Sequence, residues 1–446
     1  MSKKIFIKTF GCQMNEYDSN RILDAMKKSG YTQTLELSNA DCYILNTCHI
    51  REKASDKVYH DVGRVKKEFR NKKKPILLVI GCVAQAEGDV MLKREKYIDA
   101  IVGPQSYHKI VNIIKNLEKN KHEINETEFE VVEKFDYLNQ VKNSNSKVTS
   151  FLTIQEGCDK FCKFCVVPYT RGPEYSRSFE EIIKEAKQLI LNGSKEITLL
   201  GQNVNAYKHN SKHLSDLIYK LNLLDGLERI RYTTSHPNDV TKDLIEAHVN
   251  CNKLMPLLHL PVQSGSTKIL KKMNRNHSLE EYLEIIKKFK VKKPTMKFSS
   301  DFIIAYPGED ERDFNETINL MEEVKFINSY SFIYSPRPGT PASDLALVKN
   351  EVAKERLERF QVISNKIKTN YRKDLLNKKS KVLFENKVKN ENKYFGRDEY
   401  ANSVIVHSNV DISGKVLNVK INKSNQNTLF GTIIHEAKKK MLQPNN

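Results

Sequence analysis

Apolar residues in the first 120 positions fall into short, β-branched runs separated by stretches with helical spacing. Ile5 to Phe10, Cys42 to Asn46, Ile76 to Ile80 and Ile98 to Val102 read as strands. Glu16 to Ser29, with Ile22, Leu23 and Met26 on one face, reads as a helix, as do Arg51 to Phe69 and Gln85 to Lys96. Such alternation predicts a parallel α/β sheet. Residues 121 to 147 are polar and read as a bridge, with the apolar run Phe129 to Val132 as an edge strand. From Phe151 the alternation resumes. Strands are predicted at Phe151 to Gln155, Glu196 to Leu200, Arg229 to Thr233, Pro256 to His259, Lys297 to Ile304 and Ser331 to Tyr334. Six β/α units make a partial (β/α)6 barrel, whose functional loops belong at the carboxyl ends of the strands. Val352 to Leu376 is a long helix with a packing stripe of Leu357, Phe360, Ile363, Ile367 and Tyr371. Beyond Lys381 the period changes to two, in Val382 to Phe384, Ser403 to Val406, Lys415 to Ile421 and Leu429 to Ile434. Gly396, Gly414 and Asn-rich turns separate these runs, which predicts a small antiparallel β-barrel. The organisation expected is therefore mixed α/β in three domains, 3–120, 144–376 and 377–439.

Charge adds a partner to this picture. The formal net charge is +19, from 74 Lys and Arg against 55 Asp and Glu, which suits a polyanion such as nucleic acid. Lys and Asn are spread along the whole chain, so part of the excess is plain solvated surface. The longest candidate for a membrane-spanning run, Ile76 to Ile80, has only strand length. The start, Met1 to Ile7, lacks the apolar stretch of a signal peptide. A cytoplasmic protein is expected, with its eight cysteines reduced and free to act as ligands.

Cysteine placement brings in the chemistry. Cys158, Cys162 and Cys165 form a C-x3-C-x2-C loop, Gly157-Cys158-Asp159-Lys160-Phe161-Cys162-Lys163-Phe164-Cys165. One such loop can wrap three thiolates around one inorganic centre. Four thiolates would saturate a zinc ion or a cubane iron-sulfur cluster, so three leave one coordination position open. A structural zinc knuckle is the plain alternative, but its second cysteine pair does not follow. A second set is dispersed. Cys12, Cys48 and Cys82 each follow one of the first three predicted strands, and a parallel sheet aligns those strand ends along one edge. Each could be only a small buried residue, yet three at equivalent strand ends favour a shared site. Cys42, at a strand start, reads as a core thiol, and Cys251 is given no role. His236 and His259 are read as structural histidines.

The loop spacing, with Phe164 before its last cysteine, resembles the signature of the radical S-adenosylmethionine (SAM) enzymes. A three-cysteine α/β domain, that barrel and a C-terminal β-barrel similar to the RNA-binding TRAM domain resemble, in that order, the methylthiotransferases. Thr9-Phe10-Gly11-Cys12-Gln13-Met14-Asn15, Asn46-Thr47-Cys48 with Arg51-Glu52-Lys53-Ala54, Val166-Val167-Pro168-Tyr169-Thr170-Arg171-Gly172, and Ser331 to Thr340 look like the tRNA-2-methylthio-N6-dimethylallyladenosine synthases. His49, after Cys48, stands where small residues are commoner.

The resemblance implies two 4Fe-4S clusters. Cys158, Cys162 and Cys165 would hold the one that binds and cleaves SAM; Cys12, Cys48 and Cys82 would hold an auxiliary cluster that presents sulfur. It implies a methylthio group placed at C2 of N6-dimethylallyladenosine at tRNA position 37, next to the anticodon. SAM would serve as methyl donor and radical source, because a C–H bond at C2 offers no acid-base handle. Gly201, Gln202, Ser235, Tyr306, Gly308 and Glu309 would contact SAM beside Phe164. The partners implied are a tRNA anticodon stem-loop, an electron donor of flavodoxin or ferredoxin type, and a supplier of sulfur or of cluster repair, with no membrane. Two other readings compete: a methylthiotransferase for threonylcarbamoyl-adenosine tRNA, and a non-catalytic iron-sulfur RNA-binding protein.

Overall fold

The computed structural model describes residues 2–49, 54–119, 123–128, 131–144 and 146–434. The first domain contains β1 (Lys3–Thr9), α1 (Gln13–Lys28), β2 (Tyr31–Gln33), β3 (Cys42–Thr47), α2 (Ala54–Glu68), β4 (Ile76–Gly81), α3 (Cys82–Glu87), α4 (Asp89–Arg94), β5 (Ala100–Val102), α5 (Ile110–Lys119) and β6 (Ile124–Glu126). Its six strands form one parallel sheet in the order β2-β1-β3-β4-β5-β6. Helices cover both faces, so β3 and β4 are apolar without alternation, as buried parallel strands are. One face carries Ile22, Met26, Ile110 and Ile114 from α1 and α5. The other carries Val58, Val62 and Val65 from α2 and Leu92 from α4.

Several boundaries differ from expectation. The helix expected over Arg51 to Phe69 is described from Ala54, its first three residues lying outside the described residues. The helix expected over Gln85 to Lys96 is two, broken at Gly88, whose φ of +48° cannot continue a helix. The edge strand expected at Phe129 to Val132 is replaced by helix where it can be described. Residues 129 and 130 lie outside the described residues, Val131–Asn139 is a helix (α6), and the edge strand is β6, slightly earlier. A three-residue edge strand buries too little to impose an apolar signature.

The second domain runs through β7 (Thr149–Thr153), β8 (Gln155–Glu156), α7 (Val167–Arg171), β9 (Tyr175–Ser176), α8 (Phe179–Leu191) and β10 (Glu196–Leu200). A small hairpin, β11 (Lys208–His209) and β12 (Lys212–His213), precedes α9 (Leu214–Asn222), β13 (Arg229–Tyr232), α10 (Lys242–Asn250), β14 (Leu257–His259), α11 (Thr267–Lys272) and α12 (Leu279–Lys292). Then come β15 (Lys297–Ile304), α13 (Glu311–Val324), β16 (Asn328–Ile333) and α14 (Asn350–Lys373). Strands β7, β10 and β13 pair in parallel, as do β14, β15 and β16. A parallel bridge between Ile230 and Leu254 joins the two halves. The result is the predicted partial barrel, with β7 and β16 as its edges.

Strands β17 (Lys379–Lys387), β18 (Lys393–Asp398), β19 (Ser403–His407), β20 (Val416–Ser424) and β21 (Thr428–Ile433) close a C-terminal barrel in the order β17-β18-β19-β21-β20. Two points correct the sequence reading. Gly396 is inside β18 rather than in a turn, because a Cβ there would come 2.4 Å from the Leu383 carbonyl. The β19–β21 pair is parallel, while the other pairs are antiparallel. This barrel is anchored by Arg229, which donates to the carbonyls of Lys381, Arg397 and Asp398, and by Arg231, which donates to those of Asp398 and Glu399. Both arginines sit on β13, and Tyr400 reaches the Thr295 carbonyl just ahead of β15. The anchor thus lies toward the amino ends of the core strands, away from the cysteine loop.

Candidate active site

The parallel order of the first sheet places β1, β3 and β4 side by side, with Thr9 opposite Asn46 and Thr47 opposite Gly81. Cys12, Cys48 and Cys82 therefore leave adjacent strands at the same edge. Two glycines make that approach possible. At Gly11 (φ +102°) a Cβ would lie 2.1 Å from the Cβ of Cys48, and at Gly81 (φ +95°) one would lie 2.4 Å from the Thr47 carbonyl. The three loops are also tied together. Asn15 donates to the carbonyls of Phe10 and Thr47, both at 2.8 Å, and Thr47 Oγ1 donates to the Ile80 carbonyl and accepts from Val83 N. A hydrogen bond with Cys48 lowers the Cys12 thiol to about 6, and Arg171 adds to the shift. That is thiolate character suited to a metal ligand. Cys42, by contrast, is buried in the core and its thiol is pushed up by burial; Cys251 is buried in the barrel's core.

The chelating loop is held from several sides. Cys158 N donates to the Gly172 carbonyl, Lys163 N to that of Met273, and Ala342 N to that of Lys163. Gly157 has φ +74°, and a Cβ there would lie 1.8 Å from the Pro173 carbonyl. Burial pushes the Cys158 thiol up to about 11 and the Cys165 thiol up to about 12. Thiols so placed are poor free nucleophiles, and only a bound cation would make their deprotonation favourable. Arg275 Nη1 donates to Cys162 Sγ at 3.6 Å. Among the described residues no three Cys, His, Asp or Glu side chains converge as a single metal ion requires. A cubane asks for something else, thiolates surrounding a volume so that each meets its own iron, and both donor sets, all sulfur and three to a site, fit that group.

The other expected site residues separate by what they touch. Gln202 Oε1 accepts from Gly157 N at 2.7 Å and its amide nitrogen meets the Met14 sulfur, so it couples the two cysteine regions. Gly201 permits a close approach, since a Cβ would lie 2.5 Å from Gln155 Oε1. Ser235 Oγ is buried without a protein partner, as are Asn203 Oδ1, His236 Nε2 and His277 Nε2. Buried polar atoms of this kind want a ligand or water. Tyr306 is fully buried and packs with Phe164, Met273 and Tyr334 behind the loop. Gly308, at φ +82°, turns the chain beside Lys272.

Glu309 is held by partners within the protein. Its carboxylate accepts from Ala305 N and from Arg356 of α14 at 3.1 Å, and its side chain is 1% exposed. It ties the turn after β15 to α14.

Sequence reasoning missed what joins the two cysteine regions. Arg171, 2% exposed, donates to Asn15 Oδ1 at 3.0 Å and to Asp18 at 3.2 Å. Lys134 of α6, fully buried, pairs with Glu156 at 2.6 Å and with Asp18 at 3.3 Å. Burial raises the Asp18 carboxyl; Glu156 is equally buried, but Lys134 and Arg171 hold it below its ordinary value. Arg171 was inside a quoted motif. Lys134 gave no signal, being one lysine among many in a polar stretch.

Residues 4–103 match the uncharacterized protein family UPF0004, and residues 152–321 match the radical SAM superfamily. A tRNA-2-methylthio-N(6)-dimethylallyladenosine synthase of Pelagibacter ubique is 61% identical, over 99% of this chain and 100% of its own length. One of Ruegeria pomeroyi is 46% identical, over 97% and 99%. Among solved structures, a radical SAM methyltransferase of Kitasatospora setae with cobalamin and a [4Fe-4S] cluster bound superposes with a TM-score of 0.57. It covers 77% of both chains at 10% identity, a likeness of fold.

Proposed function

Since the chain belongs to the tRNA-2-methylthio-N(6)-dimethylallyladenosine synthases, we propose that it places a methylthio group on C2 of N6-dimethylallyladenosine at tRNA position 37. The observation that carries this reading is the seam between the domains, where Arg171 follows the chelating loop and binds Asn15 and Asp18 beside Cys12. Two cysteine regions fastened this closely can act on one substrate atom.

Cys158, Cys162 and Cys165 hold a SAM-binding 4Fe-4S cluster, and Cys12, Cys48 and Cys82 hold a second one. When bound, these groups with SAM supply the electron, the hydrogen-abstracting radical, the methyl group and the sulfur. The chain's own residues bind and position. Gln202 links Gly157 to Met14 and so fixes the spacing of the two cysteine regions. Ser235 and Asn203 offer buried polar atoms to SAM beside the loop. Tyr306 and Phe164 exclude water from behind it. The RNA partner is the anticodon stem-loop, its phosphates met by basic surface and its target base turned out of the stack. An electron donor of flavodoxin or ferredoxin type and a supplier of sulfur or cluster repair complete the set, in the cytoplasm. Among the described residues no helix is long and apolar enough to cross a membrane.

Nucleoside mass spectrometry tests the proposal, after incubation of the anaerobically reconstituted protein with SAM, a reductant and prenylated tRNA. The methylthio derivative of dimethylallyladenosine is expected. Modification of threonylcarbamoyl-adenosine tRNA alone would overturn the substrate assignment. No release of 5′-deoxyadenosine from a reduced cluster would overturn the enzymatic one.

A further inference from the structure

The tip of the chelating loop carries a residue that the fold does not account for. Phe161, one residue before Cys162, is 53% exposed and takes a left-handed backbone, φ +47°. That conformation is costly for a bulky side chain, and a glycine or asparagine would make the same turn with less strain. It is held by Asn274, whose amide donates to the Phe161 carbonyl at 3.0 Å and to the Lys160 carbonyl at 3.4 Å. The loop's other aromatic residue, Phe164, packs against Met273 and Tyr306. A strained backbone that holds a large apolar ring in water points to a use outside the fold.

Charge is divided around this tip. At the Cys158 end Asp159 accepts from Glu174 N, and Lys160 is paired with Asp239 at 2.7 Å. At the Cys162 end the exposed groups are cationic. Lys163 N donates to the Met273 carbonyl and Asn274 N to that of Lys271, so Lys163 and Lys271 flank Phe161. Both side chains are exposed, and among the described residues neither pairs with a carboxylate. Asp310 and Asp313, which face α11, are taken by Lys268. The first domain meets the loop at its other end, through Gln202 on Gly157 and Met14. The substrate base has to arrive on that side, where the two cysteine regions meet, which leaves the tip to another partner.

We propose that Phe161, Lys163 and Lys271 form the docking face for a small acidic electron-donor protein. The inference rests on the function proposed above, in which SAM cleavage consumes an electron from outside the chain. Electron tunnelling falls off steeply with distance, so the donor's redox group has to come close to the chelating cysteines. Phe161 and Lys163 flank the buried Cys162 directly. Negative charge on the donor is steered onto the lysines, and the Phe161 ring is the apolar centre that leaves water on contact. Electron-transfer encounters bury little surface, under about 1,200 Å², so a patch of this size suffices. One electron crosses: the donor is oxidised by one, the bound cluster is reduced by one, and no bond or proton changes place.

The test uses the full reconstituted protein and an acidic flavodoxin. Binding of the oxidised flavodoxin is measured by calorimetry. Release of 5′-deoxyadenosine is driven either by reduced flavodoxin or by dithionite, which needs no docking face. Phe161→Ala is expected to raise Kd about tenfold at any salt concentration. Lys271→Glu is expected to raise Kd about fivefold at low salt and to have no effect at about 0.5 M, where surface charges are screened. The same variant should slow flavodoxin-driven release in step and leave dithionite-driven release unchanged. An unchanged Kd in both variants overturns the docking face, while release with dithionite keeps the functional reading. Weaker binding of anticodon stem-loop RNA by Lys271→Glu, with Kd for flavodoxin unchanged, gives the face to RNA and likewise overturns it. A wild type that releases no 5′-deoxyadenosine even with dithionite overturns the functional reading and the docking face with it.

Discussion

His248 shows how much a single buried side chain contributes without any motif to announce it. It is 1% exposed on α10, its Nε2 lies 2.7 Å from the Tyr232 hydroxyl, and its ring stands edge-on to Phe289. Burial, with Lys293 nearby, lowers its pKa to about 3. An unfolded imidazole takes up a proton below about 6.5, whereas this one stays neutral, so the unfolded state binds more protons between those values. Stability from His248 is thus complete above about pH 6.5 and is lost as pH falls toward 3, by up to about 1.4 kcal/mol per pH unit. Urea midpoints of the cluster-free protein should fall between pH 7 and pH 5, and less steeply in His248→Gln. Equal slopes would mean that His248 is charged in the folded protein. The sequence gives no access to this, because neutrality here is set by what surrounds the ring.

At the scale of elements, the connector between the first two domains departs most from the sequence reading. A polar stretch, taken as a bridge, contains α6, and α6 delivers Lys134 into the interior between Asp18 and Glu156. A buried cation with two carboxylates leaves uncompensated negative charge when removed. Lys134→Met should therefore destabilise the protein by about 3–5 kcal/mol, read from urea unfolding. Adding Glu156→Gln should recover part of the loss, and no recovery would show that Lys134 acts only through packing. Elsewhere the elements were legible. Strands β4, β10 and β15 fall within one residue of the positions expected because long apolar runs bounded by polar turns leave little choice. Strand β18 was missed because Gly396 reads as a turn until the close approach of Leu383 explains it.

Over the whole molecule, the two clusters proposed above would lie on different domains and so be separable iron sites. Replacing Cys12, Cys48 and Cys82 together by Ala should halve the bound iron and leave SAM cleavage to 5′-deoxyadenosine in place. Loss of all iron would contradict two sites. Those domains meet through buried polar contacts, among them Arg171 on Asp18 and Asn15, Arg177 on Tyr17, and Tyr17 on Glu185. A seam of this kind fixes relative position more than it adds stability, since buried ion pairs lose much of their attraction to desolvation.

The sequence by itself determined the chelating loop, the strand-and-helix alternation of both α/β domains and the family, because these reside in local spacing and in quoted motifs. It also pointed to the second cysteine set, since a parallel sheet aligns strand ends whatever separates them along the chain. Only the tertiary structure decided that Glu309 faces Arg356, that Lys134 is buried between two carboxylates, and that Phe161 stands open at the tip of the loop, held by Asn274. Each of those depends on which side chain from a distant segment arrives opposite, and residue spacing carries no record of it.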